Sequence, residues 1–439
     1  MAKKVLMVFS VFFMLFTVAA FAAVENVKVS GDITVLGVER SNFNLGSNDP
    51  AYLLGKTSVA KNVSVIASVA NLRFNADLTQ DIAATVTMTD ERVWGCQADS
   101  IYASEAYITF KKFFNSPLEI KIGLQPVRLG DGILLGDFNG PTNEFSTGAF
   151  HTGLIDDLSP RKNPEGILLT YDFSEWVPLK LTSGYVKVNE GDPATRDDVN
   201  VYFANLGYIY NNMPVAEIFY VGKKTQKGTT FGTFAPGSAD SMDSPKGVDN
   251  LGARLILSPI KDLAFLFNAI YQHPDRGDAY DDSRLKSAWL ASVAAQYSFT
   301  KLPWSPVFSV DFGIATDRWN TMYEDVSCAS ITNAIIADTD GIVAGATLSA
   351  RPTTDLGVKV RYLNARLYKA NTPLYSNYAN YALTTNREMG NELDVATTYD
   401  YTEDVQLGVE GGVLMPGHAF DESNRRNASQ AIGKVKVSF

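Results

Sequence analysis

Apolar and polar residues alternate with a period of two along most of the chain from Asn26 to Phe439. That pattern limits the chain to strands whose two faces meet different surroundings. In NVKVSGDITVLGVER (26–40), Val27, Val29, Ile33 and Val35 share one face, and Lys28, Ser30, Asp32 and Thr34 the other. Ile82, Ala84, Val86 and Met88 alternate with Ala83, Thr85, Thr87 and Thr89. Leu393, Val395 and Tyr399 oppose Glu392, Asp394 and Thr398. The last segment sets Ala431, Gly433, Val435, Val437 and Phe439 against Ile432, Lys434, Lys436 and Ser438. Helical periodicity is nearly absent beyond the N-terminus.

Eighteen segments carry the pattern: 26–40, 62–79, 82–92, 101–114, 118–128, 166–174, 177–189, 200–211, 214–224, 248–257, 261–272, 285–299, 306–318, 341–351, 355–369, 391–401, 404–415 and 428–439. Short links such as Gln80-Asp81 and Asn115-Ser116-Pro117 alternate with long polar ones such as 41–61, 129–165, 225–247, 319–340 and 370–390. A β-sandwich gives no reason for that alternation. A transmembrane barrel does, because its periplasmic turns are tight and its extracellular loops long. The expected fold is therefore all-β: a closed antiparallel transmembrane barrel of about eighteen strands, sixteen being the nearest alternative count. An even number leaves both termini on the periplasmic side.

The N-terminus agrees with a secreted chain. Lys3 and Lys4 precede the apolar run Val5–Ala20, and Ala20-Phe21-Ala22 forms a small-residue cleavage site. Residues 1–22 are expected to be a signal peptide and 23–439 a single barrel domain. No later run is apolar enough for a transmembrane helix. The formal net charge of −10 argues against a nucleic-acid partner. Outer-membrane lipid, lipopolysaccharide and the barrel-assembly machinery are the expected partners, with a hydrophilic solute if the barrel is open. The oligomeric state is not legible. No cofactor or metal is implied. Cys96 and Cys328 are the only cysteines, and both a disulfide and two separate thiols fit them.

Eighteen strands make a barrel too wide for its own side chains to fill, so its lumen should hold water. The alternation points Arg73, Asn75, Asp77, Glu91, Glu105, Lys111, Lys121, Gln125, Arg254, Lys359, Arg361, Glu392, Asp394 and Glu410 inward. Each of these charges could simply solvate the wall. Together, the cations could guide an anionic solute. Phe113, Phe114, Phe173, Trp176, Tyr297, Phe299, Trp304 and Tyr401 sit near short turns, where an aromatic girdle is expected. The long segment 129–165 either lies on the surface or folds into the lumen. Val435, Val437 and Phe439 look like the C-terminal sorting signal of outer-membrane barrels. His151, His273 and His418 are the only histidines, all in expected loops, and no G-x-S-x-G or H-E-x-x-H motif occurs, so an enzyme is not expected.

Three stretches resemble the alginate-export family of outer-membrane porins. They are LRFNADLTQDIAATVTMTDERVWG (72–95), SEAYITFKKF (104–113) with SPLEIKIGLQPVRLGDGILLGD (116–137), and GNELDVATTYDYTEDVQLGVEGGVLMPGHAF (390–420). The resemblance implies an eighteen-stranded channel for passive diffusion or export of hydrophilic, anionic or saccharide-like solutes. It also implies that Arg73, Glu91, Arg92, Glu105, Gln125, Glu392 and Asp394 line or brace the pore. Leu124 stands where the family carries arginine, which removes one lumen cation. The competing expectation is a non-conducting barrel that serves as a structural anchor or surface adhesin.

Overall fold

The computed structural model describes residues 26–46, 62–95, 101–138, 158–159, 162–189, 198–225, 247–275, 287–317, 319–326, 328–335, 341–370 and 383–439. The expected signal peptide, Cys96, His151 and the centre of the 129–165 connection lie outside the described residues.

All eighteen expected segments form strands. They are β1 (Asn26–Ser41), β2 (Val63–Thr79), β3 (Ile82–Val93), β4 (Ile101–Phe110), β5 (Leu118–Leu124) and β6 (Glu165–Asp172). Next come β7 (Leu179–Asn189), β8 (Val199–Tyr210), β9 (Met213–Thr225), β10 (Gly247–Ile260), β11 (Leu263–Asp275) and β12 (Ala288–Ser298). The wall ends with β13 (Val307–Ala315), β14 (Gly341–Ala350), β15 (Leu356–Leu367), β16 (Glu388–Asp400), β17 (Val405–Pro416) and β18 (Ala428–Ser438). Each strand pairs antiparallel with the next, and β18 pairs with β1 from Asp32↔Ser438 to Ser41↔Ser429. The sheet thus closes on itself, which satisfies its backbone groups without water.

Boundaries differ where the local backbone leaves the sheet. β4 stops at Phe110 rather than 114, because Phe114 and Asn115 take left-handed φ values of 54° and 56° in a tight turn. β5 stops at Leu124 rather than 128, since the chain turns into the lumen at Gln125. β8 and β9 are joined by Asn211-Asn212, both with positive φ (49° and 61°), as a two-residue hairpin turn requires.

The outer wall is apolar. Ile33, Phe74, Ile218, Leu251, Phe312 and Val395 are all exposed, at 38–63%. At the short-turn end Phe114, Trp176, Trp304 and Tyr401 stand out at 62–87% exposure, in the position of an aromatic girdle. No described helix is long and apolar enough to cross a membrane.

The inner wall is not uniformly polar. Val201, Phe203, Phe219, Val221, Val248 and Ile270 point inward from β8–β11 and are buried. What covers them is the start of the 129–165 connection, whose Leu129, Leu134, Leu135 and Phe138 pack into the same cluster. The described start of that connection is therefore folded into the barrel. Apolar side chains facing a water-filled lumen would be costly, and a folded-in loop removes them from water.

Candidate functional site

Two inserted segments shape the lumen. The first runs from Gln125 to Phe138. The second follows β13, through Trp319 and Tyr323, to a short helix α1 (Ser330–Ile335). They join as an extra parallel bridge, Leu135↔Tyr323. The Tyr323 N–H donates to the Leu134 carbonyl at 2.9 Å, and the Gly136 N–H to the Tyr323 carbonyl at 2.8 Å. Phe138 and Tyr323 stack at 4.7 Å with their planes 14° apart. Charge clamps the joint. Lys162 lies 2.6 Å from Asp325 and 3.2 Å from Asp137, and Arg128 pairs with Asp325. Burial presses the Lys162 pKa down, but Asp137 and Asp325 outweigh it and hold it above the ordinary lysine value.

The expected inward residues fall into three groups. Some brace the inserted segments. Glu91 is 1% exposed and accepts from the Ser159 hydroxyl at 2.9 Å. Glu392, also 1% exposed, accepts from the Ile331 N–H (2.6 Å) and Thr332 N–H (2.7 Å) at the start of α1. Asp394 accepts from the Ser330 hydroxyl at 2.8 Å. Arg361 reaches the Cys328 carbonyl at 2.5 Å while forking onto Asp311 at 2.8 and 2.9 Å. Arg254 pairs with Glu217 at 2.7 Å beneath Gly130. Gln125 is fully buried and donates to the Gly166 carbonyl at 3.0 Å, so it anchors the point where the first segment leaves the wall.

Others face the lumen itself. Arg73 holds both Glu105 oxygens at 2.7 Å and is 43% exposed. Lys111 pairs with Asp77 at 2.9 Å and Lys121 with Glu119 at 3.2 Å. Lys359 is exposed on the inward face, in register with Ala396. Glu410 lies one strand further on and is half-buried.

One expectation fails. Arg92 does not face the lumen. It pairs across strands with Ser68 and forks onto Asp90 at 2.6–2.9 Å, on the outward face beside Trp94. Glu91 and Arg92 are adjacent on one strand, so when one points in the other must point out. A Glu-Arg motif match cannot override that parity. His273 is also misplaced: it belongs to β11 rather than a loop. Its Nδ1 lies 3.0 Å from the Ser287 hydroxyl, which also receives the Tyr271 hydroxyl at 2.8 Å. Its cross-strand neighbour Asp249 is taken by Tyr220 (2.6 Å) and Lys224 (3.4 Å), so among the described residues no carboxylate orients the imidazole.

Among the inward cations, Lys28, Lys434 and Lys436 join Lys359 in a basic strip that Glu410 interrupts on β17. Their alternation with Val29, Val435 and Val437 makes this readable from sequence. Lys436 is 3.9 Å from Asp32, whereas Lys28, Lys359 and Lys434 make no ion pair among the described residues. The strip lies on β1, β15 and β18, and its β1–β18 part is across the barrel from the β8–β11 wall that carries the first inserted segment. The first inserted segment thus fills the β8–β11 side, while α1 packs against β16–β18, so the lysines share their wall with the second segment. Arg128, Lys162 and Asp325 escaped sequence reading, because loops show no periodicity from which to infer a face.

This architecture matches solved structures over nearly the whole chain. Pseudomonas aeruginosa OccD3 is 13% identical with a TM-score of 0.56, covering 95% of this chain and 92% of that one. Pseudomonas aeruginosa OccK2, solved in complex with glucuronate, is 13% identical with a TM-score of 0.55, covering 95% and 99%. Acinetobacter baumannii OccAB4 is 11% identical with a TM-score of 0.57, covering 95% and 99%. No family model and no curated protein matches the sequence. At these identities the likeness establishes the fold: a closed eighteen-stranded antiparallel barrel of the outer-membrane porin type.

Proposed function

We propose that the chain is a passive outer-membrane channel for small hydrophilic solutes, with anionic, saccharide-like ones favoured. The observation that carries this reading is the set of exposed inward lysines, Lys28, Lys359 and Lys434, which make no ion pair among the described residues and line the lumen wall on β1, β15 and β18. Field lines between low-dielectric walls concentrate counter-ions along such a strip. The porin-type fold supports the class. The bound glucuronate of OccK2 makes an acidic sugar the first solute to test, and the alginate-export resemblance points to the same chemistry. In this reading residues 1–22 are removed, the short turns face the periplasm, and the aromatic girdle sits against lipid. Val435, Val437 and Phe439 are read by the assembly machinery, and lipopolysaccharide surrounds the loop end.

Planar-bilayer conductance of the purified, folded barrel tests this directly. Ion-conducting steps are expected, and their absence would leave a barrel that serves as an anchor or adhesin. Lys359→Glu with Lys434→Glu should move the reversal potential toward cations by roughly 10 mV or more in a tenfold KCl gradient. Arg92→Glu, on the outer face, should leave the potential where it was. If Arg92→Glu moves it as far as the lysine pair does, the strip is not the selective element.

A further inference from the structure

Where the two inserted segments meet, two cations hold a carboxylate that belongs to the chain itself. Arg128 donates to Asp325 Oδ2 through Nη1 and to the Asp131 carbonyl through Nη2. Lys162 Nζ lies 2.6 Å from Asp325 Oδ1. Its second partner, Asp137 at 3.2 Å, is only 12% exposed. Asp325 is 27% exposed, and Arg128 and Lys162 are 47% and 38% exposed. Asp325 is therefore the counter-ion within reach of a solute, and Asp137 the one sealed beneath it.

The loop backbone is cleared for this cluster. A Cβ at Gly132 would fall 2.8 Å from the Arg128 guanidinium, and one at Gly136 would fall 2.6 Å from the Asp325 Cβ. Gly132 also takes φ +89°, which a side chain would resist. Two glycines thus let a guanidinium and a carboxylate meet flush against the loop. The same acid joins the two segments, since the Asp325 N–H donates to the Gly132 carbonyl at 2.8 Å.

We propose that Arg128 and Lys162 form a carboxylate-binding subsite whose resting occupant is Asp325, and that the carboxylate of a permeating solute competes for it. This rests on the channel reading above. The guanidinium donates through Nη1 to one carboxylate oxygen while the Asp131 carbonyl fixes its Nη2, and the Lys162 ammonium supplies a second charged donor to the other oxygen. The tethered Asp325 is present at high effective concentration, so a solute wins the cradle only briefly. Weak, exchangeable occupancy is what conduction requires, because a solute that binds tightly does not leave. Displacing Asp325 also removes one link between the two segments, so occupancy should loosen the lumen locally. The predicted ligands carry a carboxylate on a hydrophilic body. Neutral sugars of the same size lack the group that competes.

The test compares wild type, Asp325→Asn and Lys162→Gln as folded barrels in planar bilayers. It reads the glucuronate concentration that halves the ion current, with glucose as the neutral probe. Asp325→Asn, which frees both cations, should lower that concentration about tenfold. Lys162→Gln should raise it about threefold or more, and glucose should act alike on all three. Unchanged glucuronate values in a conducting barrel overturn the subsite alone, as does a glucose effect equal to that of glucuronate. A folded wild type that passes no ions overturns the channel reading and the subsite with it. The Asp325 contacts run to the first inserted segment and to Lys162, which precedes β6, and none runs to a wall strand, so the wall should survive the substitution. If Asp325→Asn nevertheless fails to fold, Lys162→Gln carries the test.

Discussion

Removing Phe439 is expected to cut the folded, heat-modifiable barrel recovered from outer membranes by about tenfold or more. The residue is part of the closing seam. Its N–H donates to the Gly31 carbonyl at 3.0 Å, and its carbonyl accepts from the Gly31 N–H at 2.9 Å. Losing both leaves an unpaired donor and acceptor on Gly31 at the edge of a membrane-facing sheet, where each unsatisfied group costs several kcal/mol. The ring adds a second contribution. It covers Gly31 so closely that a Cβ there would lie 2.7 Å from Phe439 Cζ and 2.5 Å from the Asn71 carbonyl oxygen. An aromatic laid over a strand glycine is a recognised way to stiffen a sheet at such a point. Gly31→Val separates this seam role from recognition by the assembly machinery, since it displaces the ring and leaves the C-terminal residues intact. If Gly31→Val reproduces the loss, the seam explains it. If only the deletion does, sorting explains it. A deletion that accumulates as well as wild type would remove Phe439 from both roles.

The wall was legible in the sequence because a strand whose two faces meet different surroundings has to alternate, and most of the eighteen segments do. Loop and turn lengths then fixed the topology without further information. Pointing direction was also legible for lone residues such as Arg73 and Lys359. It went wrong at Arg92, where a motif resemblance carried two adjacent residues onto one face. Occupancy of the lumen was harder to read. Arg361, Glu392 and Asp394 do face inward, but nothing in β15 or β16 tells whether water or another segment meets them. One signal was present and is physical. Around VNVYFANL (199–206) and IFYV (218–221), apolar residues run on both faces, with Val201, Phe203 and Val221 buried inward and Tyr202, Ile218 and Tyr220 exposed outward. Strands apolar on both faces are covered on both. A pure water-filled pore would not tolerate that, so those runs announce an inserted segment.

Glu392→Ala is expected to release α1 from the wall while leaving the barrel folded. The carboxylate accepts from Ile331 N–H, Thr332 N–H and the Thr332 hydroxyl. Those groups begin a helix of six residues, far too short to hold itself together in water. Cutting back to alanine leaves buried donors unpaired, at about 1–3 kcal/mol for each that water cannot reach, and roughly 2–4 kcal/mol for the site. The β16 register itself should survive, because its backbone pairs run from Gly390 to Asp400 independently of the side chain. Hydrogen exchange reads the difference locally. Protection at 330–332 should fall by about 30- to 1000-fold, the fold-change equivalent of that free energy, while the amides of β15–β17 hold theirs. Glu392→Gln keeps one acceptor oxygen and should fall between the two. Asp394 still holds the Ser330 hydroxyl in both variants, so the double change with Asp394→Asn should loosen α1 further than either. If α1 keeps its protection in Glu392→Ala, its position is set by Ile331 packing against Leu414 and Ala428 rather than by the carboxylates. In that case the acidic pair on β16 faces the lumen as a charge, and its removal should appear in ion selectivity instead.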